Sequence, residues 1–215
     1  MARSRLEQLI SQQREARRQL IADSARKLFA QKEYERVTVR EIAKEAGLGL
    51  GTIYNYYKSV SDLFVEIAME NARQIVDQMD AALEGQNSKA LRRVCHVYTD
   101  YLNDHIAFYK MISYFIIGGR VTWQISPKFN EGVRPIMDRL EYALRLAGIH
   151  ETNTRIWAHA LFAALNGIML SSDRYPARIT EELKQHSQRL TDEVVSIFES
   201  WKENHPPQLA SNFDP

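Results

Sequence analysis

Between Thr38 and Tyr57 the sequence carries polar and aromatic side chains whose types and spacing suit contact with double-stranded DNA. The stretch reads TVREIAKEAGLGLGTIYNYY and has no acid after Glu45. Asn55 has the donor and acceptor that match an adenine edge, and Leu50 can touch a thymine methyl group. The hydroxyls and cations suit phosphates, which fix register without carrying sequence information. The residues predicted to contact DNA are Thr38, Arg40, Gly49, Leu50, Gly51, Thr52, Tyr54, Asn55, Tyr56 and Lys58.

The other side chains capable of chemistry form no pattern typical of an enzyme or a metal site. The six histidines include no HExxH sequence and no pair four residues apart. Cys95 and His96 are adjacent, so on a helix they point in different directions. His159 lies in an apolar segment, where a core or interface role competes with contact to a ligand. We expect no metal, no cofactor and no catalytic activity.

The predicted DNA contacts lie on two short helices joined by a glycine turn. Thr38-x-x-Glu41 has the form of a capping box, which starts the first helix. Gly47 ends that helix, where a left-handed backbone conformation favours glycine. Gly49 stands at the N-cap of the next helix, predicted over 50–56. Ile53 and Tyr57 are the apolar anchors that hold this helix against a core.

Helical periodicity continues through the rest of the chain, and no stretch alternates with the period of two that a strand requires. The sequence therefore predicts an all-α fold of about nine helices. Beyond the two short helices, the predicted helical segments are 14–31, 59 or 61 to 83, 88–105, 107–117, 126–147, 152 or 153 to 172, and 180–202.

The composition bounds the class of protein. Residues 1–60 contain 12 Lys and Arg against seven Asp and Glu, whereas the whole chain has a net charge of only +1. A basic N-terminal region suits a polyanionic partner. One cysteine fits a reducing compartment, and no signal peptide or run of about 20 apolar residues is visible, so we expect a cytoplasmic protein. Residues 1–13 suggest either a frayed tail or a basic arm that touches DNA phosphates or the minor groove.

Residues 14–74 resemble the DNA-binding domain of TetR-type (tetracycline-repressor-like) transcription regulators. Residues 38–63 are similar to the recurring pattern T-V-x-x-I-A-x-x-A-G-V-S-x-G-T-x-Y-x-Y-F-x-x-K-x-x-L, and three of their departures from it matter. Gly49 replaces serine, Tyr57 replaces phenylalanine, and Val60 replaces a lysine that commonly meets a phosphate. The last change leaves that contact to Lys58 or to the backbone of the fourth helix. The predicted divisions are an arm and helix-turn-helix domain (1–60), a connecting helix (61–84), a larger domain (85–205) and a disordered tail (206–215).

The resemblance implies that the larger domain binds a small molecule and dimerises through its last two long helices. The apolar residues of 157–170 surround their helix nearly completely, which independently predicts contact on more than one side. A monomer in which the two helices bury each other is the alternative. Aromatic residues suggest a small apolar or aromatic effector. The candidate ligand contacts are Phe108, Met111, Tyr114, Phe115, Trp123, Phe129, Tyr142, Trp157 and Phe162.

The function implied is a ligand-responsive, homodimeric, DNA-binding transcription regulator. Repression of a palindromic operator in the ligand-free state is the mode we expect. The alternative is a small-molecule-binding protein whose DNA-binding head is weak or unused, and Val60 is its only motivation. The expected partners are therefore operator DNA, a second copy of the chain and an effector, with no membrane.

Overall fold

The computed structural model describes residues 2–32, 34–117, 126–149, 154–172 and 180–204. This part of the chain contains nine α-helices, one 3-10 turn and no strand, which confirms the predicted all-α class. The helices are α1 (Ala2–Gln31), α2 (Val39–Glu45), α3 (Leu50–Tyr54), α4 (Val60–Leu83), α5 (Ala90–Asp104), α6 (Ile106–Ile117), α7 (Ser126–Leu146), α8 (Thr154–Ser172) and α9 (Thr180–Asn204), and the 3-10 turn is Tyr34–Arg36.

Three local predictions are corrected by these bounds. Residues 2–13 are the first turns of α1, so the interpretation of a frayed tail is wrong there. The α3 helix ends at Tyr54, two residues earlier than predicted. Ser88 is not the N-cap of α5; Lys89 holds that position without a side-chain bond, and its N–H donates to Asn87 Oδ1 at 3.1 Å. The predicted tail 206–215 lies outside the described residues.

The described residues form two compact units that do not follow chain order. One, the head unit, comprises Met1–Asn71 with Ile106–Phe129, and the other, the body unit, comprises Ala72–His105 with Asn130–Pro215. Helix α4 has residues in both units. The domain boundaries predicted from the sequence stay a prediction.

The head unit is organised around one apolar core to which α1, α2, α3, α4 and α6 contribute. Ile21, Ile42, Ile53 and Phe64 are almost completely buried in it. The 3-10 turn adds Tyr34, whose ring stacks on Phe29 with 5.5 Å between centroids. The α3 helix is only five residues long, so its orientation depends on this shared core rather than on its own helical stability.

In the body unit, α5 packs against α8 and α9, and α8 packs against α9. One face of α5 is buried from Ala90 to Leu102, and it includes the only cysteine, Cys95. Thr99 and Thr191 are fully buried there and share a hydrogen bond of 3.3 Å between their hydroxyls. No helix in the described ranges combines the length and apolar composition that a membrane crossing requires.

Candidate nucleic-acid interface

The start of α2 is fixed by the predicted capping box. Glu41 N–H donates to Thr38 Oγ1 at 3.2 Å, and Thr38 N–H donates to Glu41 Oε2 at 3.0 Å. Lys32 donates to Glu41 Oε1 at 2.6 Å, and this bond, with those from Thr38, lowers the pKa of Glu41. Thr38 is exposed, but its hydroxyl already serves the cap, so its predicted contact with DNA stays a proposal.

The turn between α2 and α3 follows from two glycines in different roles. Gly47 has φ +65°, a conformation that an L side chain disfavours, and Leu48 N–H then donates to Ala43 O at 2.9 Å. Gly49 has an ordinary φ of −68° and is the N-cap of α3 without a side-chain bond. Its carbonyl accepts Thr52 N–H at 2.9 Å. The turn therefore requires glycine at 47 and only tolerates it at 49.

The inner side of α3 is anchored as the sequence predicted. Ile53 is 1% exposed and Tyr57 is 4% exposed. Leu50 and Tyr56, predicted to face outward, are half-buried and pack against the same core, so only part of each side chain is available to DNA. Thr52 is also half-buried.

Seven of the ten predicted residues are exposed on the head unit: the N-cap residues Thr38 and Gly49, and five others. Tyr54 is 52% exposed, and Asn55 and Lys58 are exposed beside it in sequence. Arg40 on α2 and Gly51 on α3 are exposed as well, and a Cβ added at Gly51 meets no atom within 4 Å. We call Arg40, Gly51, Tyr54, Asn55 and Lys58 the α3 surface. No acid occurs between Glu45 and Asp62, so α3 and the turns that flank it carry no carboxylate.

Val60 opens α4 and packs, half-buried, against the head core. Ser59 Oγ accepts Asp62 N–H at 3.1 Å and so satisfies one of the free N–H groups at this helix start. Val60 therefore has a packing role in place of the phosphate contact that a lysine would supply. Lys58 remains the exposed cation nearest to it in sequence.

A charged cluster that the sequence reasoning missed joins α1, the end of the motif and α4. The Tyr57 hydroxyl donates to Glu66 Oε1 at 2.5 Å, and Arg18 Nε donates to the same oxygen at 2.6 Å. Arg18 also pairs with the second Glu66 oxygen, and its guanidinium carbon lies 6.0 Å from the centre of the Tyr57 ring. Burial and the Glu66 carboxylate raise the pKa of Tyr57. The replacement of phenylalanine by Tyr57 was the only available signal for this cluster.

The predicted effector contacts are divided between the two units. Phe108 and Met111 pack against the head core. In the body unit, the rings of Trp157 and Phe198 meet edge to face with 5.8 Å between their centroids. The ring centroids of Phe162 and Tyr98 are 5.7 Å apart. Tyr142, also in the body unit, is 40% exposed. Trp123 lies outside the described residues, as do the side chains of Tyr114, Phe115 and Phe129.

A family model matches the N-terminal part of the chain. A family model described as "Bacterial regulatory proteins, tetR family" matches residues 21–67, from the first buried turn of α1 into α4. This range contains the capping box, the glycine turn and the α3 surface. Residues 21–67 are therefore similar to the tetR family of bacterial regulatory proteins.

One curated relative extends the match in sequence. The HTH-type transcriptional regulator SAB2452 of Staphylococcus aureus (strain bovine RF122 / ET3-1) is 33% identical over 85 residues. These residues are 40% of this chain and 45% of that regulator, so the chain spans less than half of the relative's length. The sequence match therefore does not define the activity of the whole protein.

Two solved structures share the fold over most of the chain. SmeT, the repressor of the Stenotrophomonas maltophilia multidrug efflux pump SmeDEF, is 21% identical, with a TM-score of 0.64 over 84% of this chain and 89% of that one. The transcriptional regulator FadR from Bacillus subtilis in complex with stearoyl-CoA is also 21% identical, with a TM-score of 0.67 over 83% of this chain and 97% of that one. At these identities the likeness establishes the fold alone.

Proposed function

We propose that the protein is a DNA-binding transcription regulator that contacts an operator through the α3 surface. The observation that carries the proposal is this exposed face without acids, on a short helix held by a capping box, a glycine turn and two buried anchors. A major groove admits one such helix, and Asn55 can pair with an adenine edge there. Arg40, Tyr54 and Lys58 are placed on the outside, where phosphates or a guanine can be reached.

We propose further that two copies assemble through α8 and α9. Ile156 and Ile197 are 62% and 64% exposed on these helices, and Leu170 is 37% exposed. Such large apolar side chains at the surface are typical of an interface. A twofold dimer suits a palindromic operator, because it sets two α3 helices about 34–36 Å apart, one turn of DNA.

Gly167 gives this interface a more specific support. It is exposed in the middle of α8, and a Cβ added there meets no atom of the same protomer within 4 Å. Glycine inside a helix costs about 1 kcal/mol relative to alanine. Since packing within the protomer does not require it, close approach by a second copy is the physical reason we assign to it.

Regulation by a small apolar or aromatic effector, with release of a repressed operator, completes the proposal. It is supported by the fold shared with SmeT, described as a repressor, and with FadR, described in complex with stearoyl-CoA. Within the body unit, Phe162 and buried Tyr98 adjoin Asn166, whose Oδ1 accepts the Tyr98 hydroxyl at 3.2 Å. This combination of aromatic surface with a few polar groups suits a largely apolar ligand. Helix α4 has residues in both units, so we assign to it the path of the signal.

A small-molecule-binding protein with an unused head is the second candidate, and Val60 motivates it. Arg40→Ala and Tyr54→Ala distinguish the two. A regulator loses at least about tenfold in operator affinity with either change, because each removes a contact to phosphate or base, and its thermal stability and effector affinity stay unchanged. Fluorescence anisotropy with a labelled operator duplex measures the operator affinity, and calorimetry measures the thermal stability. Unchanged operator affinity in both variants would exclude the α3 surface as the binding face.

A further inference from the structure

The first two-thirds of α1 is an exposed stretch of helix, whose one bond to another helix in the described part of the protein is that of Arg18 to Glu66. Every residue from 5 to 20 is exposed, and Ile21 is the first buried side chain. At 1.5 Å per residue, residues 2–20 form about 28 Å of helix that projects beyond the head core. The family match begins only at residue 21, so it does not account for this segment. We call residues 2–20 the α1 extension.

The α1 extension is basic, and three of its five arginines are free to meet a partner. It contains five arginines against two glutamates. The guanidinium groups of Arg5, Arg14 and Arg17 are exposed and make no hydrogen bond or ion pair with any described residue. An isolated helix of this length is marginal in water, so a partner that stabilises it is expected on physical grounds. The charge points to a polyanion.

The point where the α1 extension leaves the head unit lies beside the DNA-contacting motif. Arg18 binds Glu66 and lies over the ring of Tyr57, as described above. Tyr57 follows Asn55 by two residues and directly precedes the exposed Lys58. The α1 extension is therefore tied, through Arg18, to a residue that directly precedes Lys58 of the α3 surface.

We infer that the α1 extension binds the phosphate backbone of DNA beside the site that the α3 surface contacts. This inference rests on the proposed function and adds a second DNA-binding element to it. Because the segment is a helix about 10–12 Å across, it does not fit a minor groove about 6 Å wide, which excludes the minor-groove arm considered from the sequence. Its arginines then bind phosphates and raise the affinity for every duplex without adding sequence preference.

Apolar residues on the α1 extension suggest the competing partner, a membrane surface. Leu6, Leu9 and Ile10 are 59%, 51% and 57% exposed. Residues 2–20 contain no aromatic side chain, however, whereas helices that lie in a membrane interface commonly use Trp or Phe on the apolar face. Proximity to the α3 surface and the absence of aromatic residues therefore favour DNA.

The test is the variant Arg5→Gln/Arg14→Gln/Arg17→Gln in the full chain, with circular dichroism to show that it remains folded. Binding is measured by anisotropy, from 50 to 300 mM salt, to a duplex selected by the parent from a random pool and to an unrelated duplex. We expect affinity for both duplexes to fall by a similar factor, about tenfold or more at 0.1 M salt. The slope of log K against log salt should become shallower by about 0.9 for each phosphate that the variant no longer neutralises, about 2–3 in total.

Two matched variants and one membrane assay complete the design. Arg5→Lys/Arg14→Lys/Arg17→Lys keeps the charge and should keep the salt slope, and Leu6→Gln/Leu9→Gln/Ile10→Gln should leave DNA affinity unchanged. The inference is wrong if the glutamine-for-arginine variant binds the selected duplex with the parent's affinity and slope. It is equally wrong if the apolar variant, rather than the arginine variant, loses DNA binding, or if the arginines are needed only for phosphatidylserine vesicles. If the parent protein binds no duplex at all, the proposed function is wrong as well. If the parent binds DNA and only the predictions for the arginine variant fail, the inference alone is wrong.

Discussion

At the scale of single residues, Tyr57 shows how a small departure from a family pattern acquires a structural role. A phenylalanine in its place fills the same core, but only tyrosine donates a hydrogen bond to Glu66. That bond ties Tyr57, three residues beyond the end of α3, to α4, while Arg18 ties α1 to the same carboxylate. The orientation of α3 is thereby linked to two long helices.

Tyr57→Phe measures the value of this bond. We expect a loss of about 1–2 kcal/mol in the free energy of unfolding, because a hydrogen bond to a half-buried carboxylate is removed while Arg18 still pairs with Glu66. Urea denaturation followed by circular dichroism gives the number. Tyr54→Phe, at an exposed ring, is the control and should change stability by less than about 0.5 kcal/mol. If the two variants are equally stable, the hydrogen bond from Tyr57 to Glu66 does not stabilise the fold.

At the scale of elements, α5 and α9 are held together by a group of charges at the edge of their buried faces. Arg92 donates to Asp192 Oδ1 at 2.5 Å and to Glu199 Oε2 at 3.0 Å. His96 Nε2 lies 2.8 Å from the same Asp192 oxygen. The hydrogen bond with His96 and that from Arg92 lower the pKa of Asp192, so the folded protein favours its ionised form.

This arrangement predicts a dependence of stability on pH that one substitution removes. A carboxylate whose pKa is lower in the folded state stabilises the fold above its unfolded pKa, near 3.9, and loses that contribution as the pH falls through the folded value. The parent should therefore lose stability more steeply than Asp192→Asn as the pH falls below about 4. Thermal unfolding of both proteins between pH 2.5 and 7 tests this. If the stabilities of the two proteins change with pH in parallel over that range, Asp192 does not contribute to the loss of stability in acid.

The elements also show how far the sequence alone could lead. Features that depend on residues a few positions apart were predicted correctly. They are the Thr38–Glu41 capping box, the left-handed Gly47 and the buried Ile53. The partial burial of Leu50 and Tyr56 was not predicted, since α3 is too short for periodicity to define its inner face. The role of Glu66 depends on Arg18, which is 48 positions away in sequence, and on Tyr57, which is nine positions away. No local pattern contains that information. The effector site stays a prediction because its residues come from several helices.

At the scale of the whole molecule, the proposed recognition of a palindromic operator requires two copies, which we propose meet at α8 and α9. Gly167→Ala tests this with effects of opposite sign. The protomer should become more stable by about 0.5–1 kcal/mol, because alanine favours the helix and its Cβ meets nothing there. The dimer should dissociate more readily, because the added methyl group holds the second copy further away.

Sedimentation equilibrium measures the second effect, and Gly167→Leu should enlarge it. Gln78→Leu, at an exposed position of α4, adds a side chain of the same size away from the proposed interface and serves as the control. A chain that remains monomeric without substitution, or a dimer indifferent to Gly167→Leu, would contradict assembly through this face.

The central claim is sequence-specific recognition of DNA by a pair of α3 surfaces, and selection of duplexes from a random pool by the 215-residue chain tests it most directly. We predict enrichment of an inverted repeat whose half-sites lie about one helical turn apart, with binding that weakens as salt rises. The Tyr54→Ala protein should enrich it poorly under the same conditions. Recovery of a pool without a shared sequence, or of one that Tyr54→Ala enriches equally well, would contradict the account.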